Sequence, residues 1–246
     1  MTTVSGTTAT LDDLRAACDR YVEAADREYY LHSSGQKPTL ELTEVNERLG
    51  RPFTTAALEA VLEARESARE VQERRRLTAL AMTVSELCME RELAPLVDDL
   101  GTVQATATVD VDGETIGYYA ASVAVQNEED RARRERIDEA RLREVERLNP
   151  RRERLLRRHH ELVRELGFPG YVEFYTDLKG IDFAALGATM RRFLERTADL
   201  WREAVTPWFE AAIGVPLAQG RRHDLAALMR TRHRDAWFTR DAMLPA

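Results

Sequence analysis

The residues closest to a catalytic arrangement are His159-His160-Glu161-Leu162-Val163-Arg164. A zinc-peptidase helix needs His-Glu-x-x-His, because two imidazoles one helical turn apart can share a metal while the Glu serves as general base. Starting from His160, the second His is replaced by Arg164, a permanent cation that repels zinc; starting from His159, the residue one turn on is Val163. His159, His160 and Glu161 therefore read as ordinary helix residues. The other histidines, His32, His223 and His233, are scattered, with His233 placed to reach Trp201 and Trp208. No Cys-x-x-Cys, glycine-rich phosphate loop or Gly-x-Ser-x-Gly occurs. Asp98-Asp99 and Asp110/Asp112 read as helix-end and turn acids. Asp177 and Asp182 flank Gly180, and Asp182 suits an N-cap. Tyr171, Tyr175, Trp201 and Trp208 could line a groove but at helical spacing read as core. On this reading the chain contains no catalytic residue, no metal ligand and no cofactor site.

The elements that would position these residues are mostly helical. Thr10 reads as an N-cap for a helix ending near Ser33-Ser34-Gly35. Thr54 or Thr55 opens helical sequence to Leu100-Gly101, as one helix or two. From Thr102 the pattern alternates through Val103, Ala105, Ala107, Val109 and Val111, then Asp112-Gly113 and a return through Thr115 to Tyr119, which predicts a β-hairpin needing helices on one face. A helix follows from Asn127 to about Leu148 and an Arg-rich one from Pro150 to Glu165. Breaks at Gly167-Phe168-Pro169-Gly170 and Lys179-Gly180 lead to a long helix through Ile213. Its Met190, Phe193, Leu194, Thr197, Trp201, Val205, Trp208 and Phe209 share one face. That face predicts a buried spine against which the other helices pack. A last helix is expected from Leu225 to about Trp237, then an apolar tail with Phe238, Met243 and Leu244. The fold class is thus mostly α, a multi-helix array with one small hairpin. It is divided as a disordered tail 1–10, a helical subdomain 11–101, a hairpin and connection 102–127, and a long-helix subdomain 128–246.

Composition narrows the partners. Net charge is -7 over 246 residues, with Lys only at 37 and 179, which disfavours nucleic acid. The 13 Arg and 11 acids between Glu128 and Glu165 nearly balance and read as a solvated face laced with ion pairs. No apolar run reaches membrane-spanning length. Cys18 and Cys88 are isolated, as reduced residues of a cytoplasmic protein would be.

Several stretches, in order, resemble the N-terminal half of the thimet oligopeptidase and oligoendopeptidase F family of zinc peptidases, related to the angiotensin-converting-enzyme-like group. They are Glu28-Tyr29-Tyr30-Leu31-His32-Ser33-Ser34-Gly35; the hairpin Val109 to Ile116 with Glu128 to Arg134 after it; Leu148-Asn149-Pro150 to Tyr171, with Lys179 to Asp182 and Phe193 to Thr197; and His223 to Phe238. The resemblance implies a helical half-shell. In that family two helical halves close around a channel for short peptides, and the His-Glu-x-x-His helix lies in the second half, before which this sequence ends. Zinc is expected only there, so no metal or catalytic residue carries over. The resemblance implies a non-catalytic substrate-channel half whose partner is the catalytic half or a second copy of itself, with short peptides as ligands. The alternative is a stand-alone helical interaction or peptide-binding module. A bare aromatic rod, or histidines converging on a pocket, would end the half-enclosure account.

Overall fold

The computed structural model describes residues 10–237. Among them are nine α-helices, one two-stranded antiparallel sheet and two short 3-10 turns, so the chain is mostly α with one small hairpin. The expected disordered tail and the apolar residues Phe238, Met243 and Leu244 lie outside the described residues. No described helix is long and apolar enough to cross a membrane. The described residues divide into two compact units, one of residues 10–103 and 149–187, the other of 104–148 and 188–237.

In the first unit, α1 (Leu11–Ser33) starts at Thr10. The Thr10 hydroxyl accepts from the Asp13 amide at 3.1 Å, and Asp13 accepts from the Thr10 amide at 3.1 Å, a capping box that satisfies two orphan helix-end groups. Leu14, Ala17, Cys18 and Tyr21 line one face of α1 at helical spacing and are buried. They pack with Leu58 and Val61 of α3 (Thr55–Ser67), Leu77, Leu80, Ala81, Val84 and Leu87 of α4 (Val71–Thr106), Leu162 and Val163 of α6 (Arg131–Glu165), and Phe174 of α7 (Tyr171–Lys179). Fully burying side chains such as Leu58, Val84 and Phe174 is worth about 1.5–3 kcal/mol each. The short α2 (Leu42–Leu49) has no cap of its own. Asp98 of α4 supplies one, accepting from the amides of Leu42 at 2.8 Å and Thr43 at 2.9 Å.

The segment 54–100 holds two helices, α3 and the start of α4, parted at Ala68 to Glu70. Leu100-Gly101 does not end the second: α4 runs on to Thr106, so Val103 and Ala105 are helical. Alternation was too short a signal there, because small and β-branched residues at period two also fit a helix end. Pro95 and Pro150 lie inside α4 and α6, so the break expected at Pro150 is a continuous helix of 35 residues. A proline costs the bond to the preceding turn. Buried Leu93 and Ala94 beside Pro95 and buried Leu148 beside Pro150 give that turn packing that outweighs the loss.

In the second unit, β1 (Thr108–Val111) pairs with β2 (Glu114–Gly117), Val111 opposite Glu114. The two residues between them, Asp112 and Gly113, have φ 54° and 84°, the paired positive values of a type I′ turn. Val109 and Val111 point to one face and pack with Ala121 and Val125 of α5 (Tyr118–Asn127) and Ile137 and Ala140 of α6, the helical cover the hairpin required. Tyr118 and Tyr119, read from sequence as strand, open α5 instead.

α8 (Phe183–Ile213) overturns the expectation of a buried spine. Met190, Phe193, Leu194, Leu200, Trp201 and Trp208 are 40–67 % exposed, and among its described residues Phe209 alone is buried. Periodicity reports that a face is apolar; it does not say whether this chain or another body covers it. The C-terminal segment is also shorter than expected: α9 spans Arg222–Met229, followed by a 3-10 turn over Arg232–Trp237.

Candidate functional site

In the first unit, α1, α4, α6 and α7 enclose a cleft of about 300 Å³. Its floor is apolar: Leu87, Met89 and Leu93 are buried. Tyr21 descends into it from α1, 2 % exposed and edge-on to Phe53 at 5.5 Å between ring centres. The Tyr21 hydroxyl has no hydrogen-bond partner. His159 enters from α6 with its Nε2 likewise buried and unpartnered. Glu90, one turn beyond Glu86 on α4, lines the same space. Burial, with the neighbouring charges of Asp98 and Glu86, pushes the Glu90 carboxyl up to about 7. Burial, together with His160, holds His159 below the usual imidazole range, so at neutral pH it is uncharged. Asp26 and Tyr29 of α1 and Glu86 are exposed and form the rim.

The arrangement combines carboxylates, a neutral imidazole and phenols without a cation among the described lining residues. A carboxyl that titrates near neutrality in a cleft also lined by an imidazole can hold a proton there. Among the described residues no group of three or more His, Cys, Asp or Glu is placed to hold a metal ion.

The residues singled out in the sequence are mostly structural. His160 stacks on Tyr171 at 4.8 Å and His159 meets the same ring edge-on at 5.2 Å. Glu161 joins Glu165 around Arg158. Asp98 caps α2, and Asp99 pairs with Arg151 at 2.9 Å. Asp110 accepts from Thr115, and Asp112 pairs with Arg136 at 2.9 Å. Asp177 accepts from Arg65 at 2.8 Å, and Asp182 caps α8 through the Ala185 amide at 2.9 Å. Tyr171 and Tyr175 are half-buried beside the cleft, whereas Trp201 and Trp208 are exposed and not core. The His233 side chain lies outside the described residues.

His223 and Asp224 anchor α9 within the second unit. Asp224 is wholly buried. It accepts from Arg131 Nε at 3.0 Å, Arg134 Nη2 at 3.0 Å and the Arg221 amide at 2.9 Å. Burial alone would raise its carboxyl, but the hydrogen bonds from Arg131, the Arg221 amide and Arg134 outweigh burial and hold it at about 2. This cluster is fully paired around its carboxylate and reads as a latch.

Sequence inspection missed Tyr21, Glu86 and Glu90. Glu86 and Glu90 stand four apart, on one face of a helix otherwise read for its apolar positions, and that spacing was the only available signal. No family model, curated protein or solved structure matches this chain.

Proposed function

We propose that this chain is the helical substrate-channel half of a zinc oligopeptidase-like assembly of the cytoplasm, with peptide hydrolysis residing in a second segment that carries His-Glu-x-x-His. The reading rests on the ordered stretches of resemblance; the stripe on α8 supports only the need for a covering partner. Met190, Phe193, Leu194, Trp201 and Trp208 fall within roughly 100° of arc over about 27 Å of helix, each 40 % exposed or more. Contiguous exposed apolar surface on that scale marks an interaction site. The bare rod overturns the half-shell that packs around this helix as its own spine. It favours the version in which another body supplies the cover. The ordered stretches of resemblance and the mostly helical fold with one hairpin are consistent with that role.

In the complete assembly the His-Glu-x-x-His segment would hold the zinc, which would supply Lewis-acid chemistry for peptide hydrolysis. This chain would hold substrate and exclude bulk water. Elemental analysis and a quenched-fluorescent peptide assay test the reading. The isolated chain is expected to bind no stoichiometric zinc and cleave nothing. Co-expressed with a segment that carries His-Glu-x-x-His, it is expected to gain both. One zinc per isolated chain would overturn the proposal.

The second reading is a stand-alone module in which a copy of the same chain covers the α8 stripe. Sedimentation separates the two: a tight homodimer with no peptidase segment encoded nearby favours the module.

A further inference from the structure

We propose that the cleft between α1, α4, α6 and α7 binds a primary ammonium group carried on a short apolar body. Three observations converge. Asp26, Glu86 and Glu90 line the cleft, and no Arg or Lys does among the described residues, so its field selects a cation over an anion. Tyr21 is 2 % exposed and its buried hydroxyl lacks a partner, as does His159 Nε2. Buried polar atoms without partners cost stability and are uncommon in folded chains. An ammonium offers three donors, and the Glu90 carboxylate, the Tyr21 oxygen and the neutral His159 Nε2 are acceptors of the matching kind. The remaining walls, Ala25, Leu87, Met89 and Leu93, suit an alkyl chain. A cleft of about 300 Å³ has the size of a small-ligand site.

Other nearby charges are already engaged or lie outside. Asp98 caps α2. Lys179 of α7 sits over the ring of Tyr175 at 4.6 Å, and its charge acts on Glu86 from the cleft's edge. Tyr29 stays a neutral phenol at the rim, its hydroxyl held above the usual range by burial and by Glu90. Binding of the cation favours ionised Glu90, so near neutral pH a proton leaves as the amine enters.

Calorimetric titration of the full chain with n-butylamine hydrochloride tests this directly. Saturable one-to-one binding is expected, tightening as pH rises from 6 to 8, with proton release at pH 7 measured in two buffers of different ionisation enthalpy. Glu90→Gln should weaken binding about tenfold. That variant removes an uncompensated carboxylate and so should fold; Tyr21→Phe, which keeps the ring, should weaken binding several-fold and provides a second check. A dipeptide amide with a free N-terminus and its N-acetyl form distinguish sources. Binding of the free form alone assigns the site to peptide termini; binding of butylamine but neither dipeptide assigns it to free amines. No amine binding, equal binding of the acetylated dipeptide, or affinity unchanged in both variants overturns the proposal. The inference stands apart from the oligopeptidase reading, since butylamine binding requires no zinc and no second segment.

Discussion

Glu90 and Asp224 are two carboxylates driven in opposite directions by their neighbours, and each yields a pH signature. Glu90, raised to about 7, binds its proton more tightly folded than unfolded. Between about pH 4.5 and 7 the folded state therefore holds the extra proton, and stability falls as pH rises through that window. Glu90→Gln should remove this slope and raise the melting temperature at pH 8; a lower melting temperature at pH 8 would mean that the carboxylate has a stabilising partner. Asp224, held at about 2, behaves conversely. Its contribution is present above its unfolded pKa near 4 and is lost as pH falls from there to about 2, worth about 2–3 kcal/mol. Asp224→Ala leaves Arg134, 4 % exposed, without its buried counter-charge and should cost about 3–5 kcal/mol in urea unfolding. Neither residue's role was legible in the sequence. Asp224 looked like one acid in an Arg-rich stretch because its partners, Arg131 and Arg134, are about ninety positions away.

Among the elements, those set by local chemistry were legible. The Thr10 cap, the Asp182 cap and the Asp112-Gly113 turn each follow from groups within three residues. Gly113→Ala should cost about 1 kcal/mol or more, because φ of 84° is strained for any residue with a Cβ; thermal denaturation reads it. What failed were judgements that need the tertiary partner. Continuous helix through Pro150 depends on packing beside that proline, and whether an apolar stripe is core depends on what faces it. α8 makes this quantitative. Phe209→Ala, at a buried position, should cost about 3–5 kcal/mol. Trp201→Gln, at a position 56 % exposed, should change stability by less than about 1 kcal/mol. If Trp201→Gln proved as costly as Phe209→Ala, the stripe would be core after all.

At the scale of the whole molecule, two features lack a completed partner within the described residues: the apolar stripe of α8 and the acidic cleft holding Tyr21 and Glu90. The first motivates the reading of this chain as one part of a larger peptidase-like assembly; the second points to a ligand of its own. The fold class was readable because turns, caps and period-two alternation are local. Function was not, since the cleft residues come from four separate helices. The central claim is tested most directly by co-expressing the chain with a segment that carries His-Glu-x-x-His and measuring zinc and cleavage of a short quenched-fluorescent peptide. The account predicts one zinc per complex and cleavage that Trp201→Asp with Leu194→Asp abolishes by preventing assembly. A full complement of zinc in the isolated chain, or a complex that forms and cleaves equally well with both substitutions, would contradict it.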